Sequence, residues 1–230
     1  METRILADAG AVAQEAARVL AAEARTAVAA RGRFVVGVSG GRTPWQMLQA
    51  LAREEVPWAA VHVIQVDERV APAGDPGRNL THLQESLLER APLPADQLYA
   101  MPVDGADLDE AARRYAHVLE QVAGTPPVLD VVHLGLGPDG HTASLVPGDP
   151  VLAVVDRDVA LTGVYMQRRR MTLTYPILNR SRRILWLVTG ADKSAMLPRL
   201  RAADVSIPAG RVRQERALLL ADRAATGEDA

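Results

Sequence analysis

The sequence predicts an α/β protein, a mostly parallel Rossmann-like sheet with helices on both faces. Three observations point there. Short apolar runs alternate with longer helical segments along the chain. The runs are apolar throughout rather than alternately apolar and polar, as in strands covered on both faces. Glycine-bearing turns follow directly on several of them, and an open α/β sheet carries its chemistry there, at the carboxyl ends of parallel strands.

The elements follow in order. Residues 8–30 are alanine-rich, with Val12, Val19, Leu20 and Val28 set among charged residues, and read as a helix. Phe34-Val-Val-Gly-Val38 reads as a short buried strand. A helix runs from Thr43 to about Glu54, with Thr43 as N-cap and Pro44 in its first turn. Val61 to Val66 is a second strand, and Asn79 to Arg90 a helix stopped by Pro92 and Pro94. Leu108–Val122 reads as a helix and Val128–Leu134 as a third strand. Val159–Tyr165, Met171–Thr174 and Arg183–Val188 read as further strands, Ala191–Leu200 as a helix and Ala217–Leu220 as a last strand. The tail from Ala224 to Ala230 is expected to fray.

At 230 residues the chain predicts one domain, 1–230, with a sizeable core. The formal charge of −2 argues against a nucleic-acid partner. With no cysteine, disulfides and thiolate metal sites are excluded. No pair among the five histidines has zinc-ligand spacing, so no metal is expected. The first residues lack the layout of a secretory signal, and no run of about 18 uncharged apolar residues is present. A soluble cytoplasmic protein without a membrane partner is the expectation, a monomer or small homo-oligomer. One count is sharper: of 26 basic residues only Lys193 is lysine. Ammonium is a compact point charge and guanidinium a planar fork, so a lone lysine marks a place where arginine would not serve, unless it survived by chance.

Five segments carry candidate chemistry. Ser39-Gly-Gly-Arg-Thr-Pro44 joins the first strand to its helix. Its glycines let backbone N–H groups approach an anion, and Ser39 and Thr43 add hydroxyls at a helix N-terminus. That suits a phosphate; the alternative is a plain capped turn. Asp67-Glu-Arg69 follows the second strand. If extended, Asp67 and Arg69 face the same side, lining a pocket or forming a surface ion pair. Leu134-Gly-Leu-Gly-Pro-Asp-Gly-His-Thr142 presents His141, whose ordinary pKa of about 6.5 suits proton transfer near neutrality. The alternative is a turn histidine bonded to its own backbone. Gly135, Gly137 and Gly140 match the dinucleotide pattern G-x-G-x-x-G, with Asp156 and Asp158 about 20 residues on. That fingerprint needs a long helix opening from the turn, which Pro147, Gly148 and Pro150 forbid, so no dinucleotide is expected. Arg168-Arg-Arg-Met-Thr-Leu-Thr-Tyr175 is either a basic loop entering an edge strand or a source of one inward guanidinium, best placed at Arg170. Leu187-Val-Thr-Gly-Ala-Asp-Lys193 is a further strand-to-helix turn and carries the lone lysine. Converging on one rim, these turns describe a site for a small phosphorylated molecule with one acid–base residue.

Taken together, Ser39-Gly-Gly-x-Thr-Pro44, Asp67-Glu-Arg69, Arg78-Asn79, Gly135-x-Gly-x-Asp-Gly-His-Thr-Ala-Ser144, Arg170-x-Thr-Leu-Thr174, Asn179 and Thr189-Gly-x-x-Lys193 resemble the 6-phosphogluconolactonase family, from Phe34 to the 217–225 segment. The resemblance implies a NagB/RpiA/CoA transferase-like fold, no cofactor, and a phosphorylated sugar lactone, 6-phospho-D-glucono-1,5-lactone, as substrate. It implies His141 as general base, Asp67 as the group orienting imidazole or water, and Ser39, Gly40, Gly41, Thr43, Arg69, Arg170 and Lys193 as phosphate ligands. Two departures stand out: Arg42 where serine is usual, and Gly77-Arg78 where serine often precedes Asn79. Glucosamine-6-phosphate deaminases, with the same fold, are the nearest enzymatic alternative. Their glutamate falls on Val146 and their tyrosine on Arg69, so both positions favour the lactonase. A sugar-phosphate-sensing module is the non-enzymatic alternative. It would carry a DNA-binding helix-turn-helix, for which no spare stretch of about 50–60 residues precedes the first predicted strand, and it would give the imidazole no task.

Overall fold

The computed structural model describes residues 1–227. The chain opens with β1 (Glu2–Leu6) and α1 (Ala9–Arg31), then β2 (Phe34–Val38), α2 (Arg42–Leu51), β3 (Val61–Gln65) and β4 (Asp67–Arg69). α3 (Asn79–Leu83), β5 (Leu98–Tyr99), α4 (Leu108–Ala123) and β6 (Val131–Gly135) follow, then β7 (Val159–Leu161), β8 (Arg170–Leu173), α5 (Tyr175–Arg180) and β9 (Arg183–Val188). α6 (Leu197–Arg201), β10 (Ala217–Asp222) and α7 (Arg223–Thr226) complete it.

Seven strands form a sheet parallel throughout, in the order β1-β10-β9-β6-β2-β3-β5. β2 hands on to β3 on one side and β6 to β9 on the other, so the strand order reverses between β2 and β6. A crevice opens at such a switch point, at the strands' carboxyl ends. The predicted α/β class with a mainly parallel sheet is what the chain adopts.

Each face has its own apolar core. α1 lays Val12, Ala13, Ala16, Ala17, Leu20, Ala21, Ala24 and Ala27 inward, a face of mostly methyl-sized side chains that lets the helix approach the sheet closely. Asp8 caps its start by accepting from the Ala11 N–H at 2.8 Å, and Gly32 ends it in the left-handed region at φ 73°. On the opposite face α4 packs Tyr115 and Leu119 over Val132 and Trp186. Asp107 caps it, and Asp109 and Glu110 complement the N-terminal dipole.

Several boundaries differ from the sequence expectations, each for a physical reason. β1 pairs parallel with β10 at the sheet edge, and its charged Glu2 and Arg4 hide it from an apolar count. α2 starts one residue early, at Arg42 with Gly41 as N-cap, because the Thr43 hydroxyl bonds Thr189 rather than a backbone N–H. The Asn79–Arg90 helix becomes α3 and a π-helical turn over Gln84–Leu88. The Ala191–Leu200 helix divides into a 3₁₀ turn at Ala191–Lys193 and the short α6, with Pro198 in the first turn of α6. β5 and α5 have no counterpart among the expected elements. The strand expected to reach Tyr165 ends at Leu161, and residues 165–168 form a tight hairpin tip. Arg223–Thr226 is helical rather than frayed, capped by Asp222, and the rest of the expected fraying, at 228–230, lies outside the described residues.

The larger difference is a second sheet. β4, β8 and β7 form a three-stranded antiparallel sheet on the rim of the main one. Its register sets Asp67 opposite Thr172 and Arg69 opposite Arg170. Among the described residues no helix is long and apolar enough to cross a membrane.

Candidate active site

The turns after β2, β6 and β9 leave three adjacent strands, and the small sheet stands against them. Between them lies an open cavity of about 300 Å³.

The turn after β6 is built around one imidazole. The Gly137 N–H donates to the His141 carbonyl at 2.8 Å, and Gly140 N–H to the Gly137 carbonyl at 3.0 Å. Gly137 has no room for a side chain, since a Cβ there would lie 2.1 Å from His141 Nδ1. Asp139 Oδ1 accepts from the His141 backbone N–H at 3.1 Å and lies 2.6 Å from ring Nδ1. Its other oxygen accepts from the Tyr165 hydroxyl at 3.1 Å. Partial burial opposes ionisation of Asp139, but the hydrogen bonds and charge of His141, with the Tyr165 donor, outweigh it and hold the carboxyl below its ordinary range. An ionised Asp139 keeps the ring proton on Nδ1, so Nε2, which has no partner among the described residues, presents its lone pair.

The wall facing this turn is cationic. Arg69 Nη1 donates to the Gly77 carbonyl at 3.1 Å and to Asn79 Oδ1. Glu68, fully buried, holds the backbone that carries them: it accepts from the N–H groups of Arg69, Asn79 and Leu80, each at 2.8 Å. Asn79 Nδ2 in turn donates to the Asp67 carbonyl at 2.9 Å, and Asp67 Oδ2 accepts from Ser144 Oγ at 2.6 Å. Arg170 is 7 % exposed, its buried Nε has no acceptor among the described residues, and its guanidinium lies over the Tyr165 ring, 5.0 Å from the centroid. Two guanidinium residues opposite one another on paired strands repel, which a bound anion relieves.

The third side is the turn after β2. The N–H groups of Gly40, Gly41, Arg42 and Thr43 have no acceptor among the described residues and sit at the start of α2, a cradle for an anion. Gly40 has no space for a Cβ, which would fall 1.9 Å from Asn79 Oδ1. Ser39 is anchored from below: its N–H donates to His133 Nδ1 at 3.2 Å and its hydroxyl to the His133 carbonyl at 3.1 Å. Lys193 stands on the turn after β9, 2.7 Å from the exposed Asp192 carboxylate. Asp222, at the end of β10, accepts from the Gly190 N–H at 3.0 Å and so fixes that turn.

All nine residues singled out from the sequence line this one cavity: Ser39, Gly40, Gly41, Thr43, Asp67, Arg69, His141, Arg170 and Lys193. The detail differs in two respects. The group against the imidazole is Asp139, while Asp67 is engaged by Ser144 and Asn79. The Ser39 proton is spent on His133, which leaves the backbone as the main donor of that turn. Sequence reasoning passed over Asp139, Glu68, Tyr165 and Thr189. Asp139 sat inside a quoted motif two residues from His141, a spacing that lets a turn aspartate reach back to the ring.

The chain matches the family model for glucosamine-6-phosphate isomerases/6-phosphogluconolactonase over residues 7–220. A 6-phosphogluconolactonase from Mycobacterium tuberculosis is 37% identical over 216 residues, covering 88% of this chain and 87% of that protein. The crystal structure of a 6-phosphogluconolactonase from Thermotoga maritima superposes with a TM-score of 0.85 at 25% identity, covering 96% of this chain and 98% of that one. A monomeric glucosamine-6-phosphate deaminase superposes equally well, at a TM-score of 0.86 over the full length of both chains, with 18% identity. The backbone alone therefore serves two chemistries, and the side chains distinguish them.

Proposed function

Because the chain belongs to the glucosamine-6-phosphate isomerase/6-phosphogluconolactonase family, we propose that it hydrolyses 6-phospho-D-glucono-1,5-lactone to 6-phospho-D-gluconate, a step of the oxidative pentose phosphate branch. The observation that carries this reading is the pairing, in one cavity, of an Asp139-held imidazole with a buried guanidinium whose Nε has no acceptor among the described residues.

Neutral His141 takes a proton from water through Nε2 as the water oxygen attacks the lactone carbonyl C1. The imidazolium so formed is stabilised by Asp139 and returns the proton to the ring oxygen as the C1–O bond breaks. Negative charge building on the carbonyl oxygen meets N–H groups of the glycine turns or a cation of the facing wall. Asp67 orients the water. The 6-phosphate is held by the backbone of Gly40, Gly41 and Thr43, with Ser39 supporting that turn, and by Arg69, Arg170 and Lys193. The lactone also opens unaided, so orientation and one acid–base group, the latter worth about 10²–10⁴-fold, supply the acceleration.

The side chains speak against the deaminase reading. Position 146 is a valine, 3 % exposed, where a deaminase needs a carboxylate to assist its histidine. The test follows proton release from freshly generated 6-phosphogluconolactone against the spontaneous background, with ammonia release from glucosamine 6-phosphate measured in parallel. Lactone opening no faster than background overturns the proposal, and ammonia release overturns the choice between the two chemistries.

A further inference from the structure

We propose that Tyr165 is a positioning residue, its phenol setting through Asp139 how basic the His141 imidazole is. This rests on His141 being the base. The contacts converge on one side chain. The Tyr165 hydroxyl is the one donor to Asp139 Oδ2 among the described residues, at 3.1 Å, while Oδ1 serves His141. The Tyr165 ring meets the His141 ring edge-on, with centroids 5.6 Å apart and planes at 67°. The same ring underlies the Arg170 guanidinium. One phenol thus touches the base, the base's carboxylate and a cation of the facing wall.

The backbone under Tyr165 is fixed by its own hydrogen bonds and by contacts at both ends. Tyr165 and Arg168 pair across a two-residue hairpin tip, with N–H···O distances of 3.0 and 3.2 Å. The residues between them, Met166 and Gln167, both have positive φ, 48° and 65°, a conformation usually left to glycine or asparagine. Val164 and Met166, on either side of Tyr165, are exposed, so apolar burial of the tip does not account for its shape. The tip is tied down at both ends instead: Tyr165 binds Asp139, and Arg168 pairs with Asp75 at 3.1 Å in the loop leading to Asn79. Strained backbone retained where it fixes a side chain in a site is a recurrent arrangement.

The chemistry gives the effect a direction. A hydrogen bond to Oδ2 draws charge from the carboxylate and makes it a weaker acceptor for the Nδ1 proton. Without that bond the carboxylate is more basic and holds the imidazolium more firmly, so His141 protonates at higher pH. The other charged groups around the ring are unaltered by removing one hydroxyl: Asp139 on its own turn, Asp67 and Arg69 on β4, Arg170 on β8, Asp192 and Lys193 after β9, and Arg42 across the cavity.

The test is Tyr165→Phe in the full chain, with the histidine ring signals titrated by NMR and the pH profile of kcat/KM measured beside it. His62, His82, His117 and His133 serve as internal references. The expected result is that the His141 titration and the acid limb of kcat/KM rise together by roughly half a pH unit. kcat falls about three- to tenfold and KM stays within about twofold, because the ring remains under Arg170. Site-specific 3,5-difluorotyrosine at position 165, a stronger donor that keeps the fold, moves the His141 titration the other way. A His141 titration unchanged in both proteins overturns the proposal, whatever the activity. Failure of the underlying reading looks different: turnover then survives in His141→Ala, while the two Tyr165 replacements still shift the ring.

Discussion

At the scale of single residues, the proposed function divides the site into groups that move a proton and groups that hold an anion, and substitutions separate them. His141→Ala is expected to lower kcat by about 10²–10⁴-fold. Affinity for the phosphorylated product, read as a competitive inhibition constant, stays within about twofold, since Arg69, Arg170, Lys193 and the Ser39 turn are untouched. Wild-type turnover in that variant removes His141 from the mechanism. Lys193→Arg keeps the charge but replaces a point donor with a broad fork, and KM is expected to rise about three- to tenfold with kcat little changed. Steady-state kinetics decide it, and an unchanged KM returns the only lysine of the chain to chance. Which residues line the cavity was largely legible in the sequence, because glycine, histidine and lone cations in turns after strands stand out by type. Which carboxylate serves the histidine was not. Asp139 and Asp67 are equally plausible by type, and only the path of a tight turn decides between them.

At the scale of elements, the glycine turns behave as moulds. Gly137 lies so close to the His141 ring that any side chain must push the imidazole aside. Gly137→Ala is therefore expected to cut kcat by about tenfold or more while α1, α4 and the sheet still form. Kinetics together with a near-native far-UV circular dichroism spectrum check this, and full activity contradicts the mould. The long strands and amphipathic helices could be read from their apolar runs. The small antiparallel sheet could not: β4 is three residues long, two of them acidic and one basic, and its partner lies about a hundred residues further on. Glu68 accepting from three backbone N–H groups and Asn79 donating to the Asp67 carbonyl hold β4 in place, a network without a periodic signature. The expected single helix over Ala191–Leu200 divides for a simpler reason: Pro198 sits in the first turn of α6, where a proline fits, instead of inside one continuous helix.

At the scale of the whole molecule, the central strand β6 carries His133 in full burial beneath the Ser39 turn. Burial alone pushes its pKa down from 6.5 to about 3. Its Nδ1 accepts a hydrogen bond and its buried Nε2 has no partner among the described residues, the marks of a neutral ring. The sign of the linkage follows. Above pH 6.5 the ring is neutral folded or unfolded, and the stability it permits is fully present. As the pH falls from 6.5 towards 3, the unfolded chain takes up a proton that the folded one refuses, and stability drains away. Urea midpoints measured from pH 7 to pH 4 are expected to fall less steeply in His133→Gln, which retains an acceptor for the Ser39 N–H. Parallel curves for the two proteins contradict this assignment.

The position of β10 has a consequence in time. It runs between β1 and β9, so β1 stays unpaired during synthesis until a strand some two hundred residues later is made. Asp222, closing that late strand, is also what pins the Lys193 turn. A chain stopped short of residue 217 lacks both the strand that joins β1 to β9 and the carboxylate that fixes the Gly190 turn.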